Sequence, residues 1–121
     1  MNFLMVALGG ALGATFRYLI SLIPVKTLFP ILTLVTNVLG GVFIGFVIGL
    51  SSKRSDFSDN MSLFLKTGVC GGFTTFSTFS AETLNLIENK HFILASMYII
   101  LSIFLCLLGV YIGKRLAELI N

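Results

Sequence analysis

Apolar residues dominate four long stretches of this chain, and short polar segments separate them. The stretches cover roughly residues 3–24, 28–50, 61–87 and 91–113. At about 1.5 Å per residue, a helix over any of them can cross a hydrocarbon core of about 30 Å. The connections at 24–27, 51–60 and 88–90 are too short for a soluble domain. The pattern predicts an all-α membrane protein with a single four-helix transmembrane domain over residues 1–121.

The composition agrees with a membrane location. Hydrophobic residues make up 56% of the chain, charged residues 11%, and the mean hydropathy is +1.02, which is too apolar for an ordinary soluble domain. The net charge of +3 comes from basic residues that lie mostly near the ends of the apolar stretches. Such residues commonly anchor spans to lipid headgroups, so we expect membrane lipid as a partner and no nucleic acid.

The basic residues give little preference for one orientation in the membrane. The side of the predicted bundle that contains the 51–60 loop carries Lys53, Arg54, Lys66, Lys114 and Arg115. The opposite side carries Arg17, Lys26 and Lys90. Five against three is a weak positive-inside bias. The sequence therefore predicts a chain that can insert both ways round.

Small and polar residues share one helical face in each of three stretches. These faces comprise Gly9, Gly10, Gly13 and Arg17 in the first stretch, Thr33, Asn37, Gly41, Gly45 and Gly49 in the second, and Tyr98, Ser102, Cys106, Gly109 and Gly113 in the fourth. Small residues let two helix backbones approach closely. Because four helices require fewer such faces, the pattern favours a homodimer. The two cysteines, Cys70 and Cys106, are expected to behave as small apolar residues.

Two polar residues inside the stretches have open interpretations. An arginine within a span costs about 2.5–3.5 kcal/mol on insertion scales, so Arg17 either faces protein or water, or snorkels to the interface. The NH2 group of Asn37 has two donor hydrogens, which could serve an anion or merely a neighbouring helix.

The third stretch contains the most unusual segment, GVCGGFTTFSTFSAET at residues 68–83. Its glycines permit non-helical backbone, and its hydroxyl side chains can bond to nearby backbone groups, so we expect a helix break near residues 70–75. A break inside a membrane frees carbonyl oxygens. Discontinuous helices commonly use such oxygens to coordinate a cation such as Na⁺, while helix N-termini face anions.

Two faces follow the expected break. Phe76 and Phe79 share one face, and Thr75, Thr78 and Glu82 share another. The edges of aromatic rings carry positive partial charge and can help to hold an anion. On spacing alone, however, packing between helices is the favoured interpretation of both rings. Glu82 is either a buried ionisable group with a role or a residue near the interface.

The segment at 68–83, together with GGALGATFRY in the first stretch and TLVTNVLGG in the second, resembles the Fluc family of fluoride channels, also called CrcB. The resemblance covers essentially the whole chain. It implies an antiparallel dual-topology homodimer in the cell membrane, here a bacterial inner membrane, with two fluoride pores and a structural Na⁺ at the dimer centre. It also implies that fluoride leaves the cell passively, which lowers its cytoplasmic concentration. The choice of fluoride over chloride rests on this resemblance alone.

The resemblance also assigns residues to sites. The Na⁺ ligands correspond to the backbone carbonyls of Gly71 and Thr74. The fluoride pore corresponds to Asn37, Phe76, Phe79, Ser77, Thr78, Tyr98 and Ser102, and further vestibule or structural polar residues to Arg17 and Glu82. Cys106 stands where the resemblance suggests another serine or threonine, which is a departure from the family's pattern.

Other functions fit less well. A proton-coupled multidrug exporter needs a carboxylate within the membrane, and before position 82 the only acidic residues are Asp56 and Asp59 in a loop. Glu82 would have to serve. A non-transporting membrane subunit would leave the polar donors and the TTFSTF run without a purpose. An enzyme is not expected, because the chain shows no nucleophile with a histidine base, no metal-ligand cluster and no P-loop.

Overall fold

The computed structural model describes residues 1–120, and the regular structure in that range is entirely helical. Helix α1 spans Asn2–Ser21, α2 spans Ile31–Lys53, α4 spans Phe76–Glu88 and α5 spans Phe92–Ile120. Between α2 and α4, three helical segments follow one another directly, Asp59–Ser62, the π-helical Leu63–Cys70, and Gly71–Phe73; together they are called α3. The predicted all-α fold class is confirmed.

Two boundaries differ from the sequence prediction for identifiable reasons. Helix α2 begins at Ile31 rather than near residue 28, because Pro30 occupies the N-cap position, where its missing N–H costs nothing. Helix α5 continues to Ile120, well past the apolar stretch that ends near residue 113. Its last turns contain charged residues, and Arg115 pairs there with Glu118 at 2.7 Å, which stabilises helix beyond the apolar segment.

Three helices, α1, α2 and α5, are long and apolar enough to cross a membrane by length and composition. The predicted third span at 61–87 is divided between α3 and α4. Helix α4 has 13 residues, fewer than the ~20 that a single crossing helix needs.

Glycines bring α2 and α5 together. A Cβ added at Gly45 would lie 2.9 Å from the Cα of Val110, and one at Gly113 would lie 2.8 Å from the backbone nitrogen of Phe46. Real side-chain atoms almost never come so close to backbone, so only glycine fits at either position. The glycines of the small-residue faces predicted for these two stretches thus make a close helix contact within one chain. These two faces therefore do not require the second copy that the sequence pattern favoured.

Helix α1 packs against α3 in the same manner. A Cβ at Gly9 would lie 2.9 Å from the Cα of Gly68, and one at Gly68 would lie 2.8 Å from the Cα of Gly9. By contrast, a Cβ at Gly10 would meet no atom within 4 Å. Because one face of α3 contacts α1, only the residues on the other faces of α3 are available to line a functional site.

The buried core lies between α2, α4 and α5. Leu34, Leu86, Ala95 and Tyr98 form its centre, and the Tyr98 side chain is fully enclosed. Large apolar side chains are exposed on the outer faces of the helices, as expected for surfaces that contact lipid.

Candidate functional site

The helical path stops for two residues between α3 and α4. Thr74 has φ −80° and ψ 157°, and Thr75 has φ −149° and ψ 114°, so both are extended. Thr75 is the N-cap of α4, and its Oγ1 accepts a hydrogen bond of 3.1 Å from the backbone N–H of Thr78. The Thr74 side chain instead turns back and donates to the carbonyl of Cys70 at 2.8 Å. Two adjacent threonines thus end one helix and start the next.

Asn37 on α2 holds this extended segment from the side. Its Nδ2 donates to the carbonyl of Thr75 at 3.0 Å, and the backbone N–H of Thr75 donates to its Oδ1 at 2.8 Å. One amide side chain therefore replaces both hydrogen bonds that a neighbouring strand would make. Since an amide NH2 has two hydrogens, one remains for another acceptor.

The interruption changes the partners of two carbonyl groups. In a continuous helix the N–H of Thr75 would donate to Gly71, but it donates to Asn37. Likewise the N–H of Thr78 would donate to Thr74, but it donates to the side chain of Thr75. The carbonyl oxygens of Gly71 and Thr74 are consequently released from the helical pattern, and such oxygens are typical ligands for Na⁺ in discontinuous helices. These two residues fit a cation held by backbone oxygens. In residues 1–120 no cluster of His, Cys, Asp and Glu offers an alternative metal site.

Arg17 reaches the same region from α1. Its Nε donates to the carbonyl of Gly72 at 3.0 Å, and the side chain is half-buried. This carbonyl lies in the last turn of α3, where helix carbonyls lack intrahelical partners. Arg17 therefore faces protein rather than snorkelling to the interface, and its side chain connects α1 to the end of α3.

Glu82 on α4 lies between two hydroxyl donors. Thr33 Oγ1 donates to its Oε1 at 2.8 Å, and Tyr98 OH donates to its Oε2 at 2.7 Å. The carboxyl group therefore links α2, α4 and α5 through neutral partners, rather than through an arginine or lysine. The hydroxyl hydrogen of Tyr98 is engaged by this bond.

The aromatic side chains form a short series. The ring centroids of Phe76 and Phe79 are 5.5 Å apart, with an angle of 44° between the rings. Phe79 in turn meets Tyr98 edge to face, at 5.0 Å and 63°. Phe79 is partly buried in this contact, whereas the Phe76 ring is 80% exposed within a single chain.

Two cavities adjoin the interruption on opposite sides of Thr75. The larger, of about 410 Å³, lies on the side of Asn37, and its lining includes Phe76, Phe79, Ser102, Gly71, Thr74, Cys70, Cys106 and Lys66. The smaller, of about 390 Å³, includes Arg17, Thr33, Thr78 and Glu82 in its lining. Thr75 borders both. The extended segment therefore forms the partition between two mainly apolar recesses that contain a few polar side chains.

Ser102 is the buried polar group in the larger cavity that lacks a protein partner. Its Oγ is enclosed and makes no hydrogen bond to any residue in the described range. A buried hydroxyl normally has a partner, and leaving it without one costs about 1–3 kcal/mol. Ser102 therefore lines the larger cavity with a hydroxyl group that has no partner among the described residues.

Comparisons with known proteins identify the family of this chain. A sequence model of the family described as "CrcB-like protein, Camphor Resistance (CrcB)" matches residues 4–114. The chain belongs to the CrcB family. A Clostridium perfringens protein named "Fluoride-specific ion channel FluC" is 47% identical over 120 residues, which cover 97% of this chain and 94% of that protein.

Proteins of the same name from two other organisms are also similar to this chain. The Flavobacterium psychrophilum protein is 42% identical and the Methanococcus maripaludis protein 45%; the matched regions cover 93% and 92% of this chain, and 94% and 91% of those proteins. The resemblance inferred from the motifs is confirmed. CrcB is a family of ion channels rather than enzymes, and this member is a multi-pass membrane protein.

The structure brings together only part of the residue set that the CrcB resemblance implies. Asn37, Phe76, Phe79 and Ser102 line the larger cavity, with Gly71 and Thr74 at its edge. Thr78 lies on the other side of the partition, beside Arg17 and Glu82. Ser77 and Tyr98 line neither cavity. Cys106 lies in the larger cavity, at the place where a hydroxyl side chain was expected.

Three residues were not selected from the sequence as site residues. Thr75 forms the partition, and Thr33 holds Glu82. Lys66 lines the larger cavity but was counted only as a topology signal. The sequence offered one signal for Lys66: it is a basic residue within an apolar stretch, eight positions before Thr74. No sequence signal pairs Thr75 with Asn37, which lies 38 residues away.

Proposed function

We propose that this chain is a fluoride-selective channel that lets fluoride leave the cell passively and so lowers cytoplasmic fluoride. In this proposal two copies assemble as an antiparallel dual-topology homodimer, with a structural Na⁺ at its centre. Helices α3 and α4 together make the remaining membrane crossing. The activity named for three relatives, over more than nine-tenths of this chain, supports fluoride as the substrate.

The observation that carries the proposal is the composition of the larger cavity. The side chains of Phe76, Phe79, Asn37 and Ser102 all line it, and they bring ring edges, an amide NH2 and a hydroxyl group without a protein partner. Each offers positive partial charge without a full charge of its own. Such a wall can replace part of an anion's water shell without binding the anion so tightly that it cannot leave.

Other groups contact the anion as it passes from one cavity to the other. Thr75 borders both recesses, and Thr78 lies on the far side with Arg17. Hydroxyl groups can rotate to donate in either direction, so they can follow an anion past the partition. Glu82 is held by Thr33 and Tyr98, which keeps its carboxylate oxygens engaged with donors rather than exposed to a passing anion.

The homodimer and the Na⁺ explain two further features. Phe76 is 80% exposed in one chain and lies beside the polar side chains that line the larger cavity. A second copy would cover it. The released carbonyls of Gly71 and Thr74 supply two oxygens from one chain, and a symmetry-related pair would double the number. When bound, Na⁺ would neutralise these dipoles and join the two copies. The weak charge bias suits insertion in both orientations.

A flux experiment tests the main proposal. Purified protein is reconstituted in liposomes loaded with potassium fluoride or potassium chloride and diluted into a potassium-free sodium buffer. Efflux is followed with ion-selective electrodes after a potassium-specific ionophore lets K⁺ leave together with the anion. We expect rapid fluoride efflux, chloride efflux close to that of protein-free liposomes, and no requirement for ATP. Equal efflux of both anions, or none of either, would refute fluoride selectivity.

A second experiment tests the cation separately. Purification and assay with N-methyl-D-glucamine in place of Na⁺ should reduce flux or dimer content, measured by electrode and by size-exclusion chromatography. Unchanged flux and unchanged dimer without Na⁺ would remove Gly71 and Thr74 from the proposed site while leaving fluoride conduction intact.

A further inference from the structure

The larger cavity contains one charged side chain, Lys66 of α3. The other polar residues of its lining are uncharged, Asn37, Thr74, Thr75 and Ser102, and no aspartate or glutamate borders it. Within residues 1–120, Lys66 takes part in none of the observed hydrogen bonds or ion pairs, and its side chain is half-buried. An ionisable residue placed so within a membrane segment usually has a function.

The position of Lys66 is set by the fold. The glycine contact places one face of α3 against α1. The residues that border the cavity lie on another face of α3 and just after it: Lys66, Cys70, Gly71 and Thr74. The surrounding segment Leu63–Cys70 is π-helical. Segments of this kind are rare, and they often occur at functional sites.

Its distance from the pore groups suits a role at long range. Lys66 lies on α3, about one helical turn before Gly71, whereas Ser102 lies on α5 and the two phenylalanine rings on α4. Its ammonium group is carried on a flexible four-carbon stem. A positive charge in a recess with low-dielectric walls focuses its field on the entrance and raises the local concentration of anions.

We propose that Lys66 recruits the anion into the larger cavity through its electrostatic field, without belonging to the set of groups that strip its water. This inference rests on the proposed anion conduction. Lys66 sets the rate at which the anion enters the cavity, whereas the ring edges, amide and hydroxyl act on the anion after it has entered. A field effect has a property that packing lacks: salt screens it, with a screening length of about 30 Å at 0.01 M and about 3 Å at 1 M.

The test measures fluoride efflux from liposomes at two ionic strengths, with an impermeant potassium salt as the added electrolyte on both sides. Wild-type protein is compared with Lys66→Gln, Lys66→Arg and the control Lys53→Gln. Lys53 has the same charge and is predicted to lie on the same side of the bundle, but it ends α2 and lines neither cavity. For Lys66→Gln we expect efflux to fall about 10-fold at low ionic strength and to come within about 2-fold of wild type at 1 M salt. Lys66→Arg and Lys53→Gln should match wild type at both.

Each other outcome has a definite meaning. A loss in Lys66→Gln of equal size at both ionic strengths, or no loss at all, would overturn the inference while wild-type efflux upheld the proposed function. Absence of efflux from wild-type protein would refute the proposed function itself. If Lys66→Gln does not elute as folded protein, Lys66→Met is measured in its place, because its unbranched apolar side chain suits an intramembrane position. The same salt dependence is expected of it.

Discussion

The contact between α2 and α5 and the junction between α3 and α4 both contain glycine, but they use it in different ways. Along α2 and α5 every residue remains helical, and Gly45 and Gly113 serve only to bring two backbones together. At the junction, the Gly71–Phe73 turn leads into two extended threonines. A Cβ at Gly71 would meet nothing within 4 Å, so steric contact within one chain does not explain that glycine.

The difference shows where polar backbone groups can be exposed inside a membrane. A continuous helix satisfies its own N–H and C=O groups, so α2 and α5 need only close packing. The α3–α4 junction must find other partners, and Asn37 and the Thr75 side chain provide them for two N–H groups. Two carbonyls are released as a result. Helices α2 and α5, which pack closely along their length, thus support a junction in which two carbonyl groups lie outside the helical hydrogen-bond pattern.

The largest effect on stability is expected from disrupting the contact between α2 and α5. Gly45→Val would place a branched side chain where even a Cβ collides with the backbone of Val110. Because no rotamer relieves that collision, the helices must separate, and we expect a loss of about 4 kcal/mol in the free energy of unfolding. Circular dichroism during titration with sodium dodecyl sulfate measures it.

The matched control for that prediction is Gly10→Ala, since a Cβ there has free space within one chain. Its stability should stay within about 1 kcal/mol of wild type, with a small gain from helix propensity. If both variants were equally stable, glycine packing would not be what holds α2 to α5.

A smaller loss is expected from the junction. Asn37→Ala removes both hydrogen bonds to Thr75 and leaves a backbone N–H and a carbonyl without partners. We expect a destabilisation of about 2 kcal/mol, together with strongly reduced fluoride efflux. Ser51→Ala on the same helix is the control, because the Ser51 hydroxyl bonds only to its own helix, at Ile48, and Ser51 lines neither cavity. Wild-type stability in Asn37→Ala would show that the junction holds without the amide.

The sequence predicted the rigid part of the molecule better than the junction. Long apolar stretches and glycines at four-residue spacing suffice to indicate α2 and α5, because each helix satisfies its backbone locally. The pairing of Asn37 with Thr75 and of Glu82 with Tyr98 depends on how α2, α4 and α5 come together. Spacing along one helix contains no information about that. For the same reason Tyr98, on the polar face of its stretch, turned out to bond to a carboxylate instead of lining a cavity.

The smallest effect on stability is expected at Ser102. Its hydroxyl is buried without a protein partner in the described range, so Ser102→Ala should not lower the free energy of unfolding and should raise it by about 1 kcal/mol. Fluoride efflux should fall about 5-fold, the equivalent of one hydrogen bond of about 1 kcal/mol. Ser96→Ala, which removes a hydroxyl bonded to the carbonyl of Phe92 on the same helix, should leave efflux unchanged. Unaltered efflux in Ser102→Ala would mean that this hydroxyl does not contact the anion.

The central claim is that the rings beside the junction contact the conducted anion, and isoleucine substitution tests it most directly. Phe76→Ile and Phe79→Ile keep apolar volume but remove the positive ring edges, and Phe104→Ile makes the same change at an exposed position on α5. Fluoride efflux from liposomes is measured for all three, with dimer content checked by size-exclusion chromatography. The account predicts that each of the first two variants remains dimeric and loses efflux, while Phe104→Ile conducts like wild type. Wild-type efflux from both Phe76→Ile and Phe79→Ile would contradict it.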